Sequence, residues 1–369
     1  MMDYFYWIVN FRQLLLLLLG GFFLLFMLRP PIYKQGEIVI APPNGLIYLW
    51  MFFVALVVAL TPEATMGGDK IIYTNTFHEI SSGYSSWYDF NKDILFYGWM
   101  RLVSVFTKNP TVFFVLTAVI YIGGYVFALK RIGREYWSVL MVAAVFGLSF
   151  FAYGDNTLRA GMAYSLLLVG ISLFPNRKLW AVSLACFSFF IHHSMIIPIS
   201  ALVIACFYRN TKIIFSGWLA LLVVAICFGS ATQEFLARFF ENAEDQRMAS
   251  YALGESSLYK QGFRWDFLIY GFVPIVLGIY YRYKKRFEDP FYVWILNTYI
   301  IANGFWLLMI RAVFTDRFAY LSWGLMPIVL FYPLLKRRIW PNQNFCIVGG
   351  LILILLLNLI LAFRNLFLG

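Results

Sequence analysis

A largely apolar run from Leu179 to Tyr208 is opened by Arg177-Lys178, closed by Arg209 and Lys212, and carries His192-His193-Ser194 near its middle. As one helix, rising about 1.5 Å per residue, it would be roughly 45 Å long, well beyond a hydrocarbon core of about 30 Å. As two helices it is too short for both to cross fully. Basic residues flanking short loops stay on the cytoplasmic side, so the charges put both ends inside. The chain is therefore expected to turn back near His192 and set two imidazoles at the tip of a buried hairpin. Ionisable groups at that depth are costly and usually functional.

The rest of the chain has the composition this reading needs. Of 369 residues, 62% are hydrophobic and only 13% charged, which places the chain among polytopic membrane proteins. The first apolar stretch, Leu14 to Leu28, runs into Arg29-Pro30-Pro31 with no small-residue cleavage site, and is expected to be retained. A net charge of +11 raises the possibility of nucleic acid, but the Lys and Arg residues are scattered between apolar spans and no nucleic-acid motif is present. They read as topology signals plus a few anion-binding arginines. Cys186, Cys206, Cys227 and Cys346 all fall inside apolar runs without metal-ligand spacing, and read as buried small hydrophobes. His78 is far from the other two histidines and no Asp-x-Asp pair is present, so neither metal nor cofactor is expected.

Apolar runs predict an all-α polytopic integral membrane protein, a single transmembrane domain over 1–369 with about twelve membrane segments. They lie near 5–28, 45–61, 112–129, 136–153, 160–174, 179–191, 194–208, 213–230, 266–281, 291–310, 318–335 and 345–363. Trp, Tyr and Phe at span ends fit interfacial belts. The loops at 29–44, 130–135, 175–178, 209–212, 281–290 and 335–342 hold 16 Lys/Arg and 4 acidic residues, against 13 and 14 elsewhere. The two sets alternate as threading demands, with the amino terminus outside. A single crossing at 179–208 would invert the later alternation and put Lys284-Lys285-Arg286 outside. On the outer side lie two long segments, 62–111 with an amphipathic piece from Ile94 to Phe106, and 231–265 with a mixed polar cap. No inner loop is longer than 29–44, which leaves no room for a soluble nucleotide-binding domain. An active site is expected to face outward.

Charges cluster at the outer ends of several spans. Asp155-Asn156-Thr157-Leu158-Arg159 joins the fourth and fifth; Arg311 and Asp316-Arg317, followed by Tyr320, join the tenth and eleventh; Gly67-Gly68-Asp69, with Tyr73, follows the second. An arginine at the start of an apolar helix, beside outward-pointing N–H groups, suits a phosphate or pyrophosphate that the planar guanidinium grips bidentately. The plainer reading of each is a snorkelling residue or a salt bridge to Asp155 or Asp316. An imidazole at His192 or His193 can serve as general base, and adjacent helical residues point about 100° apart, so at most one of the pair is expected to face the cavity. The plainer reading there is a packing imidazole bonded to a carbonyl. Asp69 is an alternative base, and Tyr73 a sugar contact.

In this order the residues resemble the EpsG branch of the Wzy-type polysaccharide polymerases over nearly the whole chain. Asn156-Thr-Leu-Arg159-Ala-Gly-Met-Ala163 is similar to the family's "iRqglA" helix start, and His192-His-Ser194 to its "H-x-S" turn. Gly-Gly-Asp69-x-x-x-Tyr73 and Arg317-x-x-Tyr320 bound the match. Ala160 replaces the usual Gln after the arginine, and Thr65-Met66 stands where the family has Gly-x-Arg. The resemblance implies a bacterial inner-membrane glycosyltransferase of the GT-C kind, with its site on the periplasmic face. Such an enzyme joins undecaprenyl-pyrophosphate-linked oligosaccharide repeat units for O-antigen or exopolysaccharide. It implies Arg159, Arg317 and Arg311 on the pyrophosphate, His192 as base, and Asp69, Tyr73, Asp155, His193 and Tyr320 around the sugar. Membrane lipids, a chain-length regulator and a flippase are the implied partners. Two other transferases compete: an O-antigen-ligase-like enzyme with the same residue roles, and a membrane-bound O-acyltransferase, disfavoured by the outward charges. A flippase or transporter for the lipid-linked oligosaccharide also needs outward arginines, but no internal repeat is evident. A purely structural subunit is the remaining reading.

Overall fold

The computed structural model describes residues 32–34, 37–39, 44–61, 69–84, 92–229, 231–232, 234–235, 238 and 262–367. The expected first span, Gly67-Gly68 and most of the 231–265 segment lie outside them. Two three-residue strands, β1 (Ile32–Lys34) and β2 (Glu37–Val39), pair antiparallel with Ile32 opposite Val39. The all-α expectation holds, since apart from this three-residue pairing the described elements are helical. β-Branched Ile32, Ile38 and Val39 favour a pleated backbone over so short a stretch, which a reading of long apolar runs does not register.

All other regular structure is helical. In chain order the helices are α1 (Asn44–Leu60), α2 (Asp69–Ser81), α3 (Ile94–Phe106), α4 (Pro110–Gly133), α5 (Trp137–Phe146), α6 (Leu158–Leu173) and α7 (Lys178–Ile191). They continue as α8 (Ile196–Phe207), α9 (Thr211–Cys227), α10 (Trp265–Ile279), α11 (Pro290–Leu308), α12 (Thr315–Trp323), α13 (Met326–Lys336) and α14 (Gln343–Phe367). Among the described residues, four stretches are long and apolar enough to cross a membrane: Pro110–Phe146, Pro290–Leu308, Thr315–Lys336 and Gln343–Ile360. Every other expected span within the described residues holds helix, but in shorter pieces.

Local chemistry explains where helices start and stop. Asn109 and Asn210 cap α4 and α9 by accepting from the Thr111 and Lys212 N–H groups at 2.9 and 3.1 Å, and Asp289 accepts from Tyr292 N at 3.0 Å. Pro110 and Pro290 occupy first-turn positions where no N–H is needed. The apolar run 179–208 breaks where expected: His192 is extended (φ −154°, ψ 117°), and a short 3₁₀ turn, His193–Met195, separates α7 from α8. Pro198 enforces the break, because it cannot donate to Ser194 and its ring would clash with that carbonyl in a continuous helix.

The chain packs as two compact units, residues 1–195 with 334–369, and residues 196–333. In the first, α6 is buried almost all round between α4 and α7, and α1 lies on α4. Ser188 of α7 donates to the Ala163 carbonyl of α6 at 2.7 Å. α7 turns only Ala181, Ser188 and Ile191 inward, while Leu179, Trp180, Val182, Phe187 and Phe190 form an exposed apolar face suited to lipid. Cys186, Cys227 and Cys346 are exposed, which corrects the reading of the cysteines as buried; their spans show one face outward, where a small apolar side chain is equally at home. In the second unit α11 is the buried centre, with α8, α9 and α12 against it.

Candidate active site

The residues of interest in the first unit meet around one carboxylate that the sequence reading did not single out, Asp93. It precedes the amphipathic helix α3, where an aspartate ordinarily caps by accepting from N–H groups of the first turn. Here it does not cap. Its backbone is left-handed (φ 59°, ψ 38°), its carbonyl accepts from Phe96 and Tyr97 N at 3.0 and 3.3 Å, and its side chain turns away. α3 is anchored by Phe96, Met100 and Val103, by Phe96 packing on Tyr73 and Phe113, and by Trp99 Nε1 donating to Thr117 Oγ1 at 3.1 Å.

Three residues converge on the Asp93 carboxylate. Arg159 Nη1 donates to Oδ2 at 2.9 Å, and His192 Nδ1 lies 3.0 Å from the same oxygen. His193 donates its backbone N–H to Oδ1 at 3.0 Å, and its Nδ1 lies 2.9 Å from Oδ1. Both imidazoles reach one group because His192 is extended, not helical, so the 100° spacing expected of neighbouring helical side chains does not apply. The His193 ring is wedged edge-on against Phe189 at 4.8 Å.

Arg159 is held from the other side by two tyrosines. Its Nε donates to Tyr73 OH at 3.2 Å and its Nη1 to Tyr97 OH at 3.3 Å, with the guanidinium over both rings. Tyr73 is fixed by α2, whose neighbouring Lys70 donates to the Ala59 and Thr61 carbonyls at the end of α1, 3.1 and 2.5 Å away. Arg159 begins α6 after a π-helical turn, Ala152–Asn156, and Gly161 lets the two approach: a Cβ there would lie 2.3 Å from the Tyr153 carbonyl oxygen. Among the described residues, neither Arg159 Nη2 nor either His Nε2 has a hydrogen-bond partner. The exposures rise from Asp93 (5%) and Arg159 (16%) to His192 (25%) and His193 (39%), so the buried carboxylate organises groups that reach outward. The chemistry available is a cationic fork with a donor edge to spare, beside a carboxylate-oriented imidazole.

Of the other expected site residues, Asp69 opens α2, half-buried and one turn before Tyr73. Asp155 is fully buried in the π-helical turn. Arg311, Arg317 and Tyr320 belong to the second unit. Arg311 lies over Phe263, with Nε buried and without a hydrogen-bond partner among the described residues; Gly229 makes room for it, since a Cβ there would fall 2.2 Å from Nε. Arg317 lies over Phe314, and Tyr320 OH donates to Asp316 Oδ2 at 3.0 Å. Among the described residues, no group of His, Cys, Asp and Glu has the arrangement of a metal site.

Apolar helices of crossing length, together with a carboxylate, arginine and imidazole cluster, define a helical membrane protein with a built polar site. The EpsG family model matches residues 46–367, and the chain belongs to the EpsG family, a family of polysaccharide-polymerase-like membrane proteins. No curated protein and no solved structure matches it.

Proposed function

We propose that the protein is a glycosyltransferase that polymerises lipid-linked oligosaccharide repeat units on the outer face of a bacterial inner membrane, with undecaprenyl pyrophosphate as carrier. The observation that carries this reading is that Arg159 and His192 both lie within 3.0 Å of Asp93 Oδ2, inside a chain of the EpsG family. A transferase of this kind must remove a proton from an acceptor hydroxyl and stabilise a departing pyrophosphate at adjacent points, and the cluster provides one group for each task.

In this mechanism His192 Nε2 takes the proton of the acceptor hydroxyl. The hydroxyl oxygen bonds to the anomeric carbon of the donor glycan as the bond from that carbon to the pyrophosphate oxygen breaks. The electron pair leaves with the pyrophosphate, whose added charge Arg159 meets through Nη2, the nitrogen that Asp93, Tyr73 and Tyr97 do not engage. Tyr73, already engaged with Arg159 Nε, acts as a positioning residue more than as a sugar contact. In the first unit Asp69 and His193 are assigned to sugar positioning, with Asp155 acting from its buried place in the π-helical turn; in the second unit, taken by itself, Tyr320 is assigned to sugar positioning and Arg311 and Arg317 to further anion contact. Buried Arg311 Nε, without a hydrogen-bond partner among the described residues, favours it of the two.

The test is polymerisation by purified protein in nanodiscs, given cognate undecaprenyl-pyrophosphate repeat units as sole substrate, with and without EDTA. Wild type is expected to produce a glycan ladder in both conditions, and folded Arg159→Ala and His192→Ala variants to lose it by at least about 10²-fold. Normal ladders from both variants would remove the site assignment. A wild type that forms no product but carries the lipid across proteoliposomes is a transporter, and the proposal falls.

A further inference from the structure

We infer that Asp93 is a positioning residue that holds His192 in its Nδ1–H tautomer, so that a basic Nε2 faces outward beside the free edge of Arg159. The role of His192 as base rests on the polymerase reading above; its tautomer does not.

The geometry discriminates between the two histidines. A carboxylate only accepts hydrogen bonds, so an imidazole nitrogen in contact with it must carry the proton. Among the described residues His192 Nδ1 has one partner, Asp93 Oδ2 at 3.0 Å, and that contact determines its tautomer. His193 Nδ1 faces conflicting demands: Oδ1 at 2.9 Å requires it to donate, while the Asp93 backbone N–H, 3.2 Å away, requires it to accept. The charge-assisted contact is the stronger of the two, but both cannot be satisfied. His192 is thus the ring with a single defined basic edge, and the more shielded of the pair. His193 instead supplies the backbone N–H that fixes Oδ1.

The backbone points the same way. A non-glycine residue in the left-handed region carries a conformational cost, as does an aspartate before a helix that leaves its cap bond unmade. Asp93 bears both, and what they achieve is a carboxylate turned from its own helix toward Arg159 and the two imidazoles. Residues held this way cluster at sites where position matters for chemistry.

The chain has only three histidines, so heavy-nitrogen labelling of histidine in the full-length protein in nanodiscs gives three pairs of ring signals, assigned with His78→Gln, His192→Gln and His193→Gln. At about pH 8, where an ordinary imidazole is neutral, His192 is expected to show a protonated Nδ1 and a bare Nε2. In Asp93→Asn, whose side chain tolerates the left-handed backbone, that preference is expected to disappear. Wild-type His192 protonated at Nε2, or an unchanged Nδ1–H signal in Asp93→Asn, would overturn the inference, and the wild-type spectrum decides even if the variant does not fold. In the polymerisation assay Asp93→Asn is expected to lower kcat by about 10²–10⁴-fold with little change in KM, and Asp93→Asn/His192→Gln to be no worse than His192→Gln alone. Equal losses in kcat and affinity, or additive effects, would mark Asp93 as merely structural. If wild type shows no polymerisation at all, the polymerase reading fails while the tautomer result stands.

Discussion

Asp93 joins three demands in a single side chain: it neutralises Arg159, orients two imidazoles and fixes the entry to α3. Burial alone would raise its pKa. The His192 hydrogen bond and charge, then Arg159 and the His193 bond, outweigh burial and hold the carboxyl well below its ordinary value of 3.8. A group with a depressed folded pKa stabilises the fold above its unfolded value, and that contribution drains away as pH falls toward the folded one. The Asp93 carboxylate is therefore expected to stay charged throughout the neutral range, and its contribution to stability to be lost only below about pH 4. Thermal unfolding in detergent measured against pH checks this: the acid-side fall in melting temperature between about pH 4 and pH 2 should be shallower in Asp93→Asn than in wild type. Equal slopes would show that the carboxylate is not held as described. This residue also marks where sequence reasoning stops. Arg159, His192, His193 and Tyr73 stood out because charge and imidazole are costly beside apolar spans. Asp93 sits just before an amphipathic helix, the commonest place for an aspartate to act as an ordinary cap, and its partner Arg159 is 66 residues away. The available signal was the pairing problem itself: a buried arginine and two histidines call for a nearby carboxylate, and Asp155 was the nearer candidate in sequence.

Elements were legible where length and apolarity decide them, as in α4, α11 and α14. They were not legible where a helix is interrupted by contacts far along the chain. Gly147 is extended, cutting the expected 136–153 span, and the Phe146 carbonyl exposed there accepts from Asn358 Nδ2 at 2.9 Å, 212 residues distant. The π-helical turn that follows presents the Tyr153 carbonyl to Gly161 and so sets where α6, and Arg159 with it, begins. Gly161→Ala must push backbone against backbone, an overpacking cost of roughly 1–3 kcal/mol, and displaces the residue next to the arginine fork. A lower melting temperature and a loss of ladder formation are expected together. Gly217, on the exposed face of α9, has open space around it, with nothing within 4 Å of where a Cβ would stand. Gly217→Ala is expected to be neutral or stabilising by about 0.5–1 kcal/mol, from helix propensity alone. If both alanines behave alike, close approach at Gly161 is not what positions α6.

For the molecule as a whole the decisive quantity is the distribution of charge. The loops assigned to the inner side carry 16 basic and 4 acidic residues, and the alternation holds only if the chain enters and leaves the 179–208 segment on the same side. The helix break at His192 and the 14- and 12-residue lengths of α7 and α8 are compatible with this, since neither arm spans about 30 Å at about 1.5 Å per residue. A full crossing by the joined arms would strand Lys284, Lys285 and Arg286 outside, against the bias that governs short loops. Side-selective thiol labelling in oriented membranes separates the alternatives, using a background with Cys186, Cys206, Cys227 and Cys346 replaced by Ala. Lys178→Cys, Lys212→Cys and Lys285→Cys are each expected to react only with reagent on the cytoplasmic side, and Tyr84→Cys only from outside. Labelling of Lys178→Cys and Lys212→Cys from opposite sides would make 179–208 a single crossing, reverse every later loop, and take the outward-facing site of the proposed polymerase with it. Labelling from the same side leaves His192 at the turn of two arms too short to span, the depth at which an imidazole must be paired, as it is by Asp93, to be kept.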